Sequence, residues 1–551
     1  MDKLSNLTIG QFLEDVVEKN ANHLAVKFPE VEYERTYLEL NNEVDVIAKG
    51  LLGMGFRNGD HVAIWMLNRP EFIVLFLATS KIGVVLVPIN SLFKSHEFQY
   101  VLDQSDCRAL FVSDGIRDNN YIQIINDLCP ELKSSKPGSL FSDRFPLLRT
   151  LVSLDGYHEG MYHWDQIKEN AGSISESKYE EYKSLVLPDN VTKIIYTSGT
   201  TGTPKGAMLT HTGLVNIALS GAERVKYTNR DKVCHSLPFF HSFGITSGLL
   251  TPFSFGVANI TLTHFSPLLF LQTVEQEKCT TLIGVPAMFT AILNHPDLNK
   301  YDHSTVKNVC LGGSAISPQL FDELTEKLNI DRVANGYGLT ECSPGCTYCD
   351  PLAPLAKRRE TMGTAMDFVE LKIIDTETGV KLPAGKQGEL CVRGFNVMKG
   401  YYKMPEATKQ IIDSENWLHT GDLAIADDED YYTITGRIKD LIIRGGENIY
   451  PQELEEFIVT HPEVRETQVV SVPSERYGEE VFAFVILHGK ATVTDADIKE
   501  YVKQNMARYK VPSYVAFIEQ MPMTATGKVQ KFRLKEMATE YLSTNKVEGK
   551  N

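Results

Sequence analysis

Positive charge is in short supply in this chain. Its 551 residues carry 55 Lys and Arg against 71 Asp and Glu, a formal charge of −16. That shortage excludes a protein built mainly to grip nucleic acid, which advertises a basic surface. It leaves room for a local basic pocket that takes a phosphorylated small molecule. Cysteine is sparse too, and the nine present are an odd number, which fits a reducing compartment better than a disulfide framework. No internal repeat is visible, which excludes solenoids and propellers. Long hydrophobic runs are missing. The most apolar stretch, residues 72–89, is interrupted by Thr79, Ser80, Lys81 and Gly83, and reads as a buried helix followed by a strand rather than a membrane span. The opening MDKLSNLTIG lacks an apolar signal core and the closing NKVEGKN is no lipidation or peroxisomal signal, so the cytoplasm is the expected compartment.

What is present is ordinary globular composition, 43% hydrophobic, over a length that predicts about three or four domains. β-Branched runs near 61, 84, 109, 192 and 259 alternate with helix-length segments, the pattern of βαβ units and mostly parallel sheets. Two polar stretches, from Ser134 and from Gly172, read as surface loops. Past about residue 335, short strands such as LKIID, GELCVRG and YYTITG suggest an antiparallel β module. After Gly436 the pattern becomes helix, strand, strand, helix, with Ile498, Tyr501 and Val502 at helical spacing.

The segment YTSGTTGTPKG, residues 196–206, lies between the strand-like VTKIIY and the helix-like AMLTHTGLVNIAL. Hydroxyls at Thr197, Ser198, Thr200, Thr201 and Thr203 alternate with Gly199, Gly202 and Gly206, and Lys205 closes the loop. Glycines let backbone wrap an anion, hydroxyls and amides donate to it, and lysine adds charge. The spacing is not that of the Walker loop.

This loop resembles the signature of the adenylate-forming enzymes: acyl-CoA synthetases, luciferases and amino-acid adenylation domains. Further segments are similar and come in the family's order: GGSA at 312–315, NGYGLTE at 335–341, WLHTGD at 417–422, GRIKDLIIRGGENIYP at 436–451 and PMTATGK at 522–528. The resemblance implies an α/β fold. A large N-terminal domain, residues 1–437, would hold α/β subdomains at about 1–185 and 186–335 and a β-rich, barrel-like module at about 336–437. A hinge at 438–440 would lead to a small mobile α+β domain, residues 441–551.

It also implies chemistry: ATP-dependent activation of a carboxylic acid to an acyl-adenylate, then transfer to coenzyme A, with fatty acyl-CoA synthetases the most similar members. Two anions must meet, so cations and donors aimed at the transition-state charge are required. Glu341 suits Mg²⁺ and the Thr340 hydroxyl can reach the α-phosphate. The ATP site would further include Thr197 to Thr203, Lys205, the Gly313, Ser314 and Ala315 backbone, Asn335, Gly336, Tyr337 and Gly338, with Asp422 and Arg437 on the ribose. Lys528 would be the catalytic lysine between carboxylate and α-phosphate. His241, in PFFHSFG, would gate the acyl pocket, lined by Phe239, Phe240, Gly244, Ile245, Gly248, Val285, Met288 and Gly338. No carboxylate lies in that stretch or in LIGVPAMFTAIL at 282–293, which suits an uncharged acyl tail of medium or long chain; a non-fatty acid, aromatic or dicarboxylic, or a carrier-protein acceptor is the alternative. Lys439 would be the hinge that brings Gly445 and Gly446 to a pantetheine arm. Expected partners are the acid, ATP and coenzyme A, with no nucleic acid. One signal points elsewhere: Cys342, Cys346 and Cys349 have the spacing of a radical S-adenosylmethionine iron–sulfur site.

Overall fold

In the helix Pro70–Ile82, every residue except Glu71 is buried. Pro70 presets the first turn, and Gly83, at φ 74°, ends the helix in the left-handed region before the strand Val85–Pro88. This is the buried helix and strand expected at 72–89. In this computed structural model the described residues are 3–116, 119–197, 204–314, 316–444, 447–474, 477–489, 492–506, 508–524 and 527–548. No helix among them is long and apolar enough to cross a membrane.

By compactness the chain divides into two units, Met1–Leu371 with Val392–Leu418, and Lys372–Cys391 with His419–Asn551. The first unit is built on two sheets. One has seven strands in the order Lys205–Thr210, Val191–Thr197, Val85–Pro88, His61–Trp65, Ala109–Val112, Thr150–Ser153 and Tyr162–His163. Its pairs are parallel except the first. The other has nine strands, with a parallel run Arg332–Tyr337, Asn308–Leu311, Thr281–Gly284, Lys232–His235, Ala258–Thr261 and Leu24–Phe28. A boundary near 185 does not separate these sheets: Leu24–Phe28 joins the second, and Val191–Thr210 hairpin strands join the first.

In the second unit, Leu418–Ala426 pairs antiparallel with Tyr432–Arg437 at the end of a four-stranded sheet. A five-stranded sheet follows, centred on Gly478–Leu487. That strand alternates Val481, Ala483 and Val485 into one core with Phe482, Phe484 and Ile486 into another, so both faces are covered. The helices Pro451–Val459 and Asp495–Asn505 supply Leu454, Ile458, Ile498 and Val502 to the first core.

Two local readings need correction. The stretch from Gly172 is not simply loop: Glu176–Ser184 is a helix capped by Ser175. It carries no apolar periodicity and is held by Tyr179, which is buried with its hydroxyl donating to Asp45 at 2.7 Å, and by Lys183, which pairs with Glu14 at 2.6 Å. The run AMLTHTGLVNIAL is strand up to Thr210, and the helix starts only at His211, because the hairpin partner Val191–Thr197 claims the first part.

Asp45 also receives Lys81, whose side chain is fully buried and donates to Asp45 at 2.6 Å, Asn41 at 2.8 Å and Glu14 at 3.0 Å. This one ammonium ties together the helices Ile9–Asn20, Tyr37–Gly53 and Pro70–Ile82. Burial pushes the Glu14 carboxyl up, but Lys81 and Lys183 outweigh it and hold the group below its ordinary value. Its stabilisation is therefore present above the unfolded carboxyl value of about 4.3 and lost as pH falls through the lowered folded value. Lys81→Met should cost about 3 kcal/mol in urea unfolding at pH 7, near the low end for a broken buried pair because both carboxylates keep some water contact. The native and variant curves should converge in acid; an unchanged native stability at pH 7 would remove Lys81 from this role.

Candidate functional site

The strands Val191–Thr197 and Lys205–Thr210 pair with Thr197 opposite Lys205, so both flank residues 198–203 in the chain. Ser198, Gly199, Thr200, Thr201, Gly202 and Thr203 lie outside the described residues. A further segment docks on the outer strand: Met208 N–H donates to Gly400 O at 3.0 Å, Lys399 N–H to Met208 O at 3.0 Å and Tyr402 N–H to Gly206 O at 2.8 Å. That docking sets Tyr401 beside the hairpin, with the Lys205 ammonium 5.3 Å from the centre of its ring.

The strand Arg332–Tyr337 ends in a tight corner. A Cβ on Gly338 would sit 1.9 Å from Pro344 O, so only glycine fits. The turn Thr340–Cys342 then buries Thr340 and Glu341, the latter only 9% exposed. A carboxylate so placed needs donors. Tyr401 supplies its hydroxyl to Glu341 Oε1 at 2.8 Å, and Thr197 its own at 3.3 Å. Burial first, and Glu341 second, push the Tyr401 phenol far up, so it stays protonated as a donor. With two hydroxyls on Oε1, Oε2 is the oxygen a cation would take. The Thr340 hydroxyl lies 3.2 Å from that of buried Ser242. The neighbouring His241 accepts from Phe243 N–H at 3.2 Å on Nδ1, which leaves the proton of a neutral ring on Nε2. Thr197, Lys205, Thr340 and Glu341 thus converge, with His241 one residue from the Ser242 link.

The other expected residues of this unit follow the carboxyl ends of neighbouring parallel strands: 237–248 after Lys232–His235, 285–288 after Thr281–Gly284, 312–315 after Asn308–Leu311, and 338–341 after Arg332–Tyr337. Ligands of open α/β sheets bind at such ends. Gly313 has φ 85°, and a Cβ there would be 3.2 Å from Val285. Ser314 is exposed, Ala315 lies outside the described residues, and Asn335 is buried with Oδ1 lacking a hydrogen-bond partner among them. Gly336 packs on the Tyr348 ring, and Tyr337 is half-buried.

The expected acyl-pocket residues are divided between two hydrophobic cores. Phe239 and Ile245 belong to one core, with Phe239 against Phe72, Phe28 and His235, while Met288 belongs to another with Val285 at its edge. Phe240 and Gly244 are buried, and a Cβ on Gly244 would meet Pro238 O at 2.2 Å. The turn Gly244–Leu250 is a π-helix, and Gly248 rests on the ring of His235, 3.0 Å from a built Cβ. His235 is fully buried. It accepts from Leu237 N–H on Nδ1 at 3.2 Å and meets Asn259 Oδ1 from Nε2 at 3.1 Å, while Asn259 donates to Gly248 O. His235, Ser242 and Tyr401 are the residues that sequence reasoning missed. Ser242 had a signal, since it lies in the PFFHSFG run, and so did Tyr401, in the segment FNVMKGYYKMPEAT at 395–408.

In the second unit, Asp422 is buried and pairs with Arg437 at 2.8 Å across the strand register. Lys439 sits in the short turn Ile438–Asp440. Gly445 and Gly446 lie outside the described residues. Lys528 follows a turn in which Gly527 has φ 74° and the Lys528 N–H donates to Thr524 Oγ1 at 3.0 Å. The iron–sulfur alternative gains no support: Cys342, Cys346 and Cys349 are buried, burial pushes the Cys349 thiol up to about 11, and among the described residues the three do not gather as a ligand set.

Comparison with known proteins bears on this arrangement. The family model "AMP-binding enzyme" matches residues 13–402, and "AMP-binding enzyme C-terminal domain" matches 453–528. The chain is similar to a putative acyl-CoA synthetase, YngI, of Bacillus subtilis, 43% identical over 98% of both chains. It is also similar to a medium-chain acyl-CoA ligase, ACSF2, mitochondrial, of Danio rerio, 36% identical over 98% of this chain and 89% of the relative. Among solved structures it resembles the anthranilate CoA ligase AuaEII in complex with anthranoyl-AMP, with a TM-score of 0.84, 25% identity and 98% of each chain covered.

The buried His235 gives a pH prediction. Burial holds its ring down at about 4, against about 6.5 unfolded. Stability from the neutral ring is therefore complete above about 6.5 and is lost as pH falls toward the folded value, at up to about 1.4 kcal/mol per pH unit. Urea unfolding of His235→Gln should show a slope shallower by one proton between about pH 6 and 4.5. An identical slope would mean that His235 is not the neutral anchor of the Gly248 turn.

Proposed function

The chain belongs to the AMP-binding enzyme family and is an acid–thiol ligase of the AMP-forming, acyl-CoA synthetase type; on that premise we propose that it activates a medium- or long-chain fatty acid with ATP and passes the acyl group to coenzyme A. The observation that carries this reading is the convergence of Thr197, Thr340 and Glu341 at the carboxyl ends of their strands, with Lys205 opposite Thr197 at the start of the antiparallel hairpin strand. The fatty acid is supported by the relative named as a medium-chain acyl-CoA ligase and by the lack of any carboxylate in residues 237–248 and 282–293. An aromatic acid is the second reading, favoured by the likeness to an anthranilate CoA ligase. The nine buried cysteines, none in a disulfide, support the cytoplasm as the compartment.

In the first step a carboxylate oxygen of the acid attacks the α-phosphorus and the bond to pyrophosphate breaks. Lys205 and the Thr197 hydroxyl face the phosphate turn, and Thr340 donates to the α-phosphate. Glu341 would hold Mg²⁺ through Oε2, and that ion supplies neutralisation of phosphate charge. Asp422 and Arg437 hold the ribose, and Lys528 bridges the two anions as an electrostatic clamp. In the second step the thiol of coenzyme A attacks the acyl carbon and AMP leaves. Lys528 and the thiol cannot both occupy that space. Lys439 is the hinge about which residues 441–551 turn, replacing the Lys528 loop by Gly445 and Gly446.

Pyrophosphate exchange over a panel of fatty, aromatic and dicarboxylic acids, with and without coenzyme A, tests the substrate. Exchange is expected with medium or long aliphatic acids. Exchange with aromatic acids alone sinks the fatty-acid reading, and exchange without acylation of coenzyme A sinks the acceptor.

The two half-reactions test the residues. Lys528→Ala should slow exchange by about 10²–10³ and spare thioester formation from supplied acyl-adenylate. Lys439→Pro fixes φ; it should spare exchange and slow acylation of coenzyme A by at least about tenfold. Equal losses in both half-reactions would make either residue structural.

A further inference from the structure

Three potential metal ligands that the ligase chemistry does not use meet in the second unit. Glu389 and Cys391 are two apart in the strand Gly388–Gly394, so their side chains share a face. His419 comes from the neighbouring strand Leu418–Ala426. Its Nδ1 lies 2.9 Å from Glu389 Oε2 and 3.7 Å from Cys391 Sγ, and all three ligand atoms fall within 4.8 Å of one another. No other group of three such residues occurs among the described residues.

From this geometry we propose that Glu389, Cys391 and His419 form a binding site for one zinc-class divalent cation. Zinc bonds of about 2.3 Å to sulfur and about 2.0–2.1 Å to nitrogen and oxygen, set tetrahedrally, separate nitrogen from sulfur by about 3.5 Å and nitrogen from oxygen by about 3.3 Å. The observed 3.7 and 2.9 Å require shifts of only a few tenths of an ångström. The donor set of thiolate, imidazole and carboxylate suits zinc rather than magnesium, which takes oxygen ligands. Cys391 is fully buried, whereas the His419 side chain is 31% exposed. The site is thus walled on the sulfur side and open at the imidazole, where a water completes four-coordination.

The other oxygen of Glu389 accepts the Gly421 N–H at 3.1 Å, and Asp422 follows directly, its own N–H on Thr420 Oγ1 at 3.0 Å. A bound cation therefore pins the strand Gly388–Gly394 to the turn that carries Asp422. Binding is balanced by protons. Zinc takes cysteine as the thiolate, so a bound cation replaces the proton on Cys391 Sγ.

The test is titration of the full chain with Co²⁺ and then Zn²⁺. One equivalent of Co²⁺ should produce a thiolate-to-cobalt charge-transfer band, one equivalent of Zn²⁺ should abolish it, and calorimetry in buffers of different ionisation enthalpy should count about one proton released per metal. Cys391→Ser should lose the band, and His419→Gln should keep the thiol but weaken zinc binding by at least about a hundredfold. If Cys391→Ser does not fold, Glu389→Gln serves in its place, with circular dichroism confirming the fold and weakened binding expected. Absence of the band in the native chain, or its persistence at full strength in these variants, overturns the site. None of these readouts depends on ligase activity.

Discussion

A buried carboxylate organises the first unit. Glu341 cannot be taken out of water without donors, and its own segment provides none from a side chain. The donors come from Thr197, at the mouth of the loop hairpin, and from Tyr401, on a segment that docks on the hairpin's outer strand. The Glu341 carbonyl in turn accepts the Met398 N–H at 2.8 Å. Three stretches far apart in the chain are therefore registered by one side chain. The arrangement also leaves one carboxylate oxygen for a cation.

The same economy recurs elsewhere. Lys81 sits at the meeting point of three helices with three acceptors on one ammonium. His235 uses both ring nitrogens, one accepting and one donating, to hold a π-turn whose carbonyl is taken by Asn259. In each case a buried polar group is tolerated because every partner is supplied, and the neighbouring backbone is fixed as a result. Such fixed corners suit chemistry that depends on aiming donors at developing charge rather than on a reactive nucleophile. The residues assigned to that chemistry are divided between the two units: phosphate-facing groups in the first, and Asp422, Arg437, Lys439 and Lys528 in the second. A division of this kind fits a reaction whose two steps call for different groups.

Much of this was legible from the residues. The alternation of β-branched runs with helix-length segments located strands at His61–Trp65, Val85–Pro88, Ala109–Val112, Val191–Thr197 and Ala258–Thr261, because each is largely buried and rich in β-branched or other apolar residues. The ordered motifs named the family that the comparisons found. The helix Glu176–Ser184 escaped because it is polar nearly all round and is held by Tyr179 reaching Asp45 and Lys183 reaching Glu14, both far away in the chain. The strand Lys205–Thr210 escaped because AMLT suits either conformation until a partner strand is in place.

By itself, then, the sequence determined the fold class, the order of the strands along the chain and the chemical character of the phosphate loop. These rest on period, turn chemistry and residue type, all of which are local. Only the tertiary structure decided that Tyr401 and Thr197 serve Glu341, that Phe239 packs against Phe28, Phe72 and His235, and that Glu389, Cys391 and His419 face one another. Residues 28 to 144 positions apart meet there, as in Cys391 or Glu389 with His419 and Thr197 with Glu341. Nothing in local periodicity encodes which distant donor a buried acceptor will find; that is fixed only when sheets pair, segments dock and each buried polar group must be satisfied at once.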